Sequence, residues 1–353
     1  MARIVAGLSG GVDSAVAAGL LKATGHEVIG VTLRTWQAGT SRCCRIDDAQ
    51  RTTAALGIPY HVISCAADFQ EFVEAPFLTD RLRGMTPNPC VVCNFAVKWK
   101  WLLRAAAHFQ ADAVATGHYA EVTATEAGRY TVKAGKDSRK DQSYMLCRLT
   151  QEQLRRTILP LGRLTKPEVR ELASRLGLPA AETPDSQELC FVNEEDPGDY
   201  IEEHTEDPPG AGSFVDQEGK PLGPHRGIYR YTIGQRRGLG IPASGRLYVS
   251  RIHPETNEIT LGNAASLLRG ELICGNLHWM GVDPPEVGQC LEAMVKIRSH
   301  HEAAQAAVFC AGQEAVRIRF RDPVRAPAPG QYAVFYDDAQ RVLGSGVIAE
   351  AFP

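Results

Sequence analysis

The chain has no apolar run long enough to cross a membrane, and the run after Met1-Ala2-Arg3 is too short for a signal peptide. Both absences lead us to expect a cytoplasmic protein. Charge of one sign is scarce as well: the formal net charge is −3. That excludes a whole-molecule field attractive to nucleic acid, so any RNA contact must come from local basic patches. Internal repeats and low-complexity segments are missing, which excludes repeat arrays and biased tails. What remains is an ordinary globular composition, 44% hydrophobic and 22% charged over 353 residues, enough for two or three domains with real cores.

Cysteine is not scarce; there are 10. In a cytoplasmic chain they do not read as a disulfide scaffold, so clustered ones are candidates for metal or redox chemistry. Cys65, Cys147, Cys274, Cys290 and Cys310 sit in or beside apolar or strand-like runs and are expected to be small core residues.

The N-terminal segment holds the most informative stretch. Residues 3–8 read as a strand, Ser9-Gly10-Gly11-Val12-Asp13-Ser14 as a tight turn, and residues 15–23 as a helix ending before Gly25. Such a turn aims backbone N–H groups at an anion, where unpaired donors and the helix dipole favour negative charge. Adjacent glycines let the backbone approach a phosphate closely. Two hydroxyls add donors, and Asp13 is suited to hold a divalent cation beside the same phosphates. The Gly-Lys-Ser/Thr ending of a Walker A loop is absent, so this cradle is of another kind. The hexapeptide resembles the pyrophosphatase loop (PP-loop) of enzymes that split ATP into AMP and pyrophosphate while activating a carbonyl or carboxylate oxygen. The loop alone leaves the substrate open.

Strand-like and helix-like patterns alternate through about residue 117: strands at 28–33, 60–64 and 113–116, and helices at 47–56, 68–82 (disturbed at Pro76) and 94–109. This argues for a doubly wound parallel sheet with ligands at the carboxyl ends of its strands. Residues 121–132 look like a hairpin, and 150–157 and 165–176 like helices. The Pro- and Gly-rich stretch 193–212 is placed as a boundary. Beyond it short strands dominate, and from about residue 271 clear alternation suggests a small barrel or sandwich. The expected organisation is a catalytic α/β domain over 1–200, a small central domain over 201–268 and an all-β barrel-like domain over 269–353.

Two further stretches carry chemistry. Thr86-Pro87-Asn88-Pro89-Cys90-Val91-Val92-Cys93-Asn94 puts a Cys-x-x-Cys after a proline-stiffened loop, at the predicted start of the helix near Asn94. Thiols there favour the thiolate, which attacks sulfur or binds metal. A zinc half-site completed by Cys43 and Cys44 is the competing reading. The other stretch is Asp185-Ser186-Gln187-Glu188-Leu189-Cys190-Phe191.

Taken together, these motifs resemble the tRNA-specific 2-thiouridylases nearly end to end. The likeness also takes in Ala115-Thr116-Gly117-His118-Tyr119, Lys140-Asp141-Gln142-Ser143-Tyr144, Thr232-Ile233-Gly234-Gln235-Arg236-Arg237 and Pro329-Gly330-Gln331-Tyr332. The resemblance implies an adenine-nucleotide alpha-hydrolase-like PP-loop domain. It also implies adenylation by ATP and Mg²⁺ of the C2 oxygen of a wobble uridine, then replacement by sulfur. A cysteine matching Cys190 would carry a persulfide, and one matching Cys93 would release the sulfur. ATP would lie on Gly7, Leu8, Ser9, Gly10, Gly11, Val12, Asp13, Ser14, Leu33 and Gly117. Asn88, Pro89 and Cys90 would face the target base. His118, Lys140, Asp141, Gln142, Arg298, Ser299 and Gln331 would touch tRNA. The implied partners are Glu, Gln and Lys tRNAs, and a sulfur donor such as a cysteine desulfurase or a relay protein.

Position 90 departs from the best-known members, where Asp often stands. Cys90, Cys93 and Cys190 could together hold a [4Fe–4S] cluster, or Cys90 could be a spare thiol beside an unchanged persulfide relay; both stay open. Two basic patches are candidates for RNA phosphates: residues 230–237, and Arg317, Arg319 and Arg321 on one strand face. The alternatives to a tRNA thiolase are a PP-loop ligase or amidotransferase acting on a small molecule, and a zinc-stabilised RNA-binding protein.

Overall fold

Alternate residues of the first strand, Arg3–Gly7, face opposite helical layers, as a period of two requires. Ile4 and Ala6 pack with the helices Val12–Ala23 and Lys166–Arg175 on one side. Val5 packs on the other side with Trp99, Leu102 and Ala105 of the helix Trp99–His108. The structure, a computed structural model, describes residues 1–35, 45–182, 189–192, 196–243, 245–312 and 314–353. Cys43, Cys44 and the stretch 185–188 lie outside the described residues.

The strand Arg3–Gly7 is the middle of a five-stranded parallel sheet. Glu27–Arg34 and Tyr60–Ser64 follow on one side, Ala113–Ala115 and Thr157–Ile158 on the other. The doubly wound α/β domain expected from alternation is present. The edge strand Thr157–Ile158 is an addition, because two residues show no readable period.

Two helices differ from their predicted form. The segment predicted at 68–82 is a short helix, a π-helical stretch Gln70–Glu74 and the helix Ala75–Leu82, one continuous helical run in which Pro76 stands just after the π-helical turn. The segment predicted from Asn94 begins earlier, as the helix Pro89–Val92 capped by Asn88, and continues through a second π-helical stretch, Cys93–Lys98, into Trp99–His108. The Asn88 side-chain oxygen accepts from Val91 N–H at 3.3 Å. Cys93 therefore stands one turn inside the helix, and the terminal position predicted for it belongs to Pro89 and Cys90.

Central strands Gly212–Val215, Pro221–His225, Tyr248–His253 and Glu258–Gly262 form one sheet over a core of Phe214, Tyr231, Val249 and Ile259. The C-terminal strands Leu268–Trp279, Cys290–Lys296, Ala304–Cys310, Val316–Arg325, Tyr332–Tyr336 and Val342–Phe352 close into a barrel, deciding barrel over sandwich. Closure removes the sheet edges that a sandwich would leave open. The domains are laced together. The hairpin Ala120–Ala124/Tyr130–Ala134 bridges to the barrel at Lys133 and Arg341. Thr86 N–H donates to Pro329 O at 2.8 Å, and Arg81 reaches the Tyr229 and Tyr231 carbonyls and Thr232.

Of the cysteines expected in the core, Cys65, Cys147, Cys274 and Cys310 are buried. Cys290 is exposed, a correction: it occupies an outward position of its barrel strand, 3.9 Å from the Glu292 carboxylate.

Candidate functional site

The glycine loop sits at the carboxyl end of the central strand, beside the loops that leave its two neighbours. Gly10 has φ +81, and a Cβ there would meet Arg45 at 2.6 Å. Gly117 presses against the loop from the next strand; a Cβ on it would lie 2.6 Å from the backbone of Asp13 and Ser14. Ser14 Oγ accepts from Ser9 N–H at 3.2 Å and donates to Gly11 O at 3.0 Å, closing the turn. A cavity of about 220 Å³ opens here, with Gly7, Leu8, Ser9, Asp13, Ser14 and Gly117 along one side and Leu33, Lys98 and His118 among the rest. Most of the expected nucleotide residues are thus gathered around one space at a helix N-terminus, the setting that favours phosphate.

Two neighbours of this loop escaped sequence reasoning. Lys166, 8% exposed, donates to both Asp13 carboxylate oxygens at 2.7 and 2.8 Å. The Tyr119 hydroxyl donates to Asp13 Oδ1 at 2.6 Å. Asp13, read as a cation ligand, is thus already tied to an ammonium. Among the described residues lining this cavity it is the one carboxylate. A lone carboxylate suits Mg²⁺ that arrives with nucleotide phosphates and keeps its waters, not a metal caged by protein.

His118 lines the same cavity. Burial, helped by the charge of Lys98, pushes its pKa down to about 3, and Thr116 Oγ1 lies 2.8 Å from its Nδ1. It is a neutral imidazole at this wall. Gln142 lines the cavity too and accepts from Tyr119 N–H at 3.0 Å. Asp141 faces inward: it takes the Ser143 hydroxyl at 2.9 Å and Lys296 Nζ at 3.1 Å, tying the first domain to the barrel. Lys140 is half-buried on the neighbouring turn.

The cysteines lie next door. Cys93, 4% exposed, and the half-buried Cys190 share one apolar cluster with Cys65, Phe69, Phe191 and Tyr200. Leu33 packs on this cluster and also lines the nucleotide cavity. Likewise the stretch Cys93–Lys98 starts in the cluster and ends on the cavity wall. Cys90 is half-buried in the turn before Cys93. Among the described residues no three His, Cys, Asp or Glu side chains gather as metal ligands do.

Glu74 and Tyr200 are buried beside this cluster, the tyrosine hydroxyl donating to the carboxylate. Tyr200 belongs to the helix Pro197–Glu203, which Arg230 of the central domain clamps through Asp196, Asp199 and Glu202. Arg230 is only 6% exposed. Its expected place in an RNA-facing patch is therefore corrected, and Tyr231 is buried as well. Arg317 and Arg319 do face outward, but both pair with Glu271, at 3.3 and 2.8 Å.

A second cavity, about 440 Å³, opens where the three domains meet. Thr86 and Asn88 line it from the first domain, Thr232 from the central one, and residues 298–301 with Gln331 from the barrel. Asn88, Arg298, Ser299 and Gln331, expected at tRNA, are thus brought together. Gln331 is held at both ends, donating to Thr86 O at 2.8 Å and accepting from the Tyr144 hydroxyl at 3.4 Å.

Known proteins resemble this chain along nearly its whole length. A family profile described as "tRNA methyl transferase HUP domain" matches residues 2–194. Profiles described as "tRNA methyl transferase PRC-barrel domain" and "Aminomethyltransferase beta-barrel domain" match 198–263 and 269–348. A protein of Lachnoclostridium phytofermentans named tRNA-specific 2-thiouridylase MnmA is 42% identical over 358 residues, 99% of each chain. Its namesake in Geobacter metallireducens is 42% identical over 99% of this chain and 97% of its own. That of Syntrophotalea carbinolica is 43% identical over 98% of both. Among solved structures, a 4-thiouridine synthetase–RNA complex with bound ATP aligns at 18% identity and a TM-score of 0.35, over 54% of this chain and 45% of that one, too loosely to carry weight.

Proposed function

Because the chain belongs to the tRNA-specific 2-thiouridylase family, an ATP-using family that thiolates tRNA uridine, we propose how its own residues divide that work. One observation carries the reading: the cavity at the phosphate-type loop and the cluster holding Cys93 and Cys190 share Leu33 as a wall. Adenylation of the C2 oxygen and sulfur attack on C2 must occur at one carbon–oxygen group, and these two centres are neighbours.

ATP lies with its phosphates on residues 9–14. Lys166, paired with Asp13, puts positive charge beside the loop where pyrophosphate departs. Mg²⁺ brought with the nucleotide would find Asp13 as the neighbouring carboxylate and would supply further charge neutralisation. The uridine comes out of its stack past Asn88, Pro89 and Cys90, as chemistry on a base demands. Its C2 oxygen attacks the α-phosphorus and pyrophosphate leaves. The outer sulfur of a Cys190 persulfide then attacks C2, and AMP leaves with the old oxygen. The Cys93 thiolate attacks Cys190 Sγ; the S–S bond breaks, its electrons pass to the sulfur on C2, and a Cys93–Cys190 disulfide remains. An external dithiol returns two electrons. The substrate is the wobble uridine of Glu, Gln and Lys tRNAs, and the sulfur comes from a cysteine desulfurase or a relay protein. Lys140, Arg298 and Ser299 meet the RNA.

The test is thiolation of tRNA with ATP, Mg²⁺ and a persulfide donor, reading 2-thiouridine and AMP separately. Cys93→Ser and Cys190→Ser should still make AMP but no 2-thiouridine, and Cys90→Ser should keep both products. A Cys90→Ser protein that loses thiolation along with an iron–sulfur absorbance would overturn the persulfide route.

A further inference from the structure

Cys190 lies in a turn, not in a helix or strand. Residues 189–192 are closed by Val192 N–H donating to Leu189 O at 3.2 Å. With no helix or sheet to fix it, the sulfur takes its place from what the neighbouring side chain packs against. That side chain is Phe191, 6% exposed. Three rings meet it edge-on: Phe69 at 5.5 Å, Phe77 at 5.3 Å and Tyr200 at 5.5 Å between centroids. Phe69 and Phe77 belong to one helical run, residues 66–82, and keep their spacing through its backbone. Tyr200 arrives on a different helix, Pro197–Glu203, and needs a tie of its own.

Glu74 supplies that tie. It ends the π-helical stretch between Phe69 and Phe77, is 5% exposed, and accepts the Tyr200 hydroxyl. Among the described residues no Lys, Arg or His pairs with this carboxylate. Carrying a carboxylate into an apolar cluster without a cation is costly, and an apolar side chain would fill the space as well. What the carboxylate adds is direction, because a hydrogen bond to it is short and fixes the donor as ring contacts do not. The tyrosine keeps the proton it donates. Burial, the bond to Glu74 and the negative charges of Glu74 and Cys190 push its pKa up. The last of these causes also places Cys190 within electrostatic reach of Tyr200.

We propose that Glu74 and Tyr200 are positioning residues for sulfur transfer. Their hydrogen bond closes the third wall around Phe191 and so keeps the Cys190 sulfur within reach of Cys93, which stands in the same apolar cluster. Neither residue lines the nucleotide cavity, so adenylation does not draw on them. The inference rests on the reading of Cys93 and Cys190 as the sulfur pair.

The experiment compares the full chain with Tyr200→Phe, Glu74→Ala and Glu74→Gln. With tRNA, ATP and a persulfide donor, Tyr200→Phe and Glu74→Ala should lower kcat for 2-thiouridine about tenfold, the order of loss when a nucleophile is slightly misplaced. First-turnover AMP and KM for tRNA should not change. Glu74→Gln keeps an acceptor for the tyrosine and should restore the rate. Combining Glu74→Ala with Tyr200→Phe should cost no more than either alone. A second measurement needs no RNA. Diamide oxidises neighbouring thiols to a disulfide, and the Cys93–Cys190 bond, followed by peptide mass spectrometry, should close about tenfold more slowly in Tyr200→Phe. Closure there at the unaltered rate overturns the inference alone. So does an equal loss in Glu74→Gln and Glu74→Ala, or a fall in AMP that matches the fall in 2-thiouridine. Failure of the bond to close in the unaltered protein overturns the sulfur-pair reading, and the inference with it.

Discussion

Lys166 reaches across 153 positions of sequence to grip both oxygens of Asp13, the acid of the phosphate-type loop. Thr165 and Glu168 fix the start of its helix through a reciprocal capping box. The ammonium therefore stands at a set height beside the loop. Lys166→Ala should cut AMP formation by about 100-fold, the scale for losing one preorganised charge-stabilising donor. Binding of tRNA, followed by fluorescence anisotropy, should be unaffected, and Lys166→Arg should recover part of the rate. Unchanged AMP formation in Lys166→Ala would remove it from the reaction.

Gly117 has no room for a side chain, since a Cβ would stand 2.6 Å from loop backbone at Asp13 and Ser14. Backbone cannot swing away as a side chain can. Gly117→Ala should push the loop out of register and weaken ATP binding by about 2 kcal/mol, the usual cost of overpacking. Isothermal titration with a non-hydrolysable ATP analogue measures it; an affinity equal to that of the unaltered protein would show the contact to be soft.

His118 makes stability depend on pH. Its ordinary pKa of 6.5 is lowered to about 3 in the fold, chiefly by burial. Between those values the unfolded chain binds a proton that the folded one does not. The contribution is thus fully present above about pH 6.5 and is lost as pH falls toward 3, at no more than ~1.4 kcal/mol per pH unit. His118→Gln should flatten the fall of the urea midpoint between pH 6.5 and 4. An unaltered slope would mean the imidazole protonates in place.

Arg230 balances three carboxylates, Asp196, Asp199 and Glu202, at 3.4, 2.6 and 2.6 Å. Those acids are half in water, so each pair is worth little alone. Removing the shared cation leaves three like charges on a short helix. Arg230→Ala should cost about 2 kcal/mol at low salt and less in 0.5 M salt, where repulsion is screened. Thermal denaturation at both salt concentrations tests this. Thiolation should fall with kcat more than KM, because that helix holds Tyr200 against Phe191, the neighbour of Cys190.

The chemistry was legible where it is local. The strand, glycine turn and helix at the N-terminus, the alternation that closes the barrel, and the order of the cysteine motifs are all written in contiguous residues. What escaped was set by partners far along the chain. Nothing near Asp13 announces Lys166, and nothing near Arg230 announces acids some 30 positions earlier. An arginine among aromatics therefore read as an RNA contact. The π-helical stretch Cys93–Lys98 escaped for a related reason. Its composition suits an α-helix, and nothing in the local residues marks the wider turn, whose ends lie in the cysteine cluster and on the cavity wall. Cys290 was misplaced because it was read by its neighbours' apolar character and not by the strand's alternation, which buries Ala293 and Val295 and turns Cys290 outward.

That stretch is in effect a ruler. Cys93 at one end and Lys98 at the other belong to a single six-residue length of backbone. The separation between Cys93 and the cavity at the glycine loop is therefore held by covalent geometry and helical hydrogen bonds, not by the fit of one domain against another. A one-residue insertion or deletion between Cys93 and Lys98 would leave each centre intact and put the two out of reach of the same carbon, yielding an enzyme that activates uridine and then leaves the adduct to water.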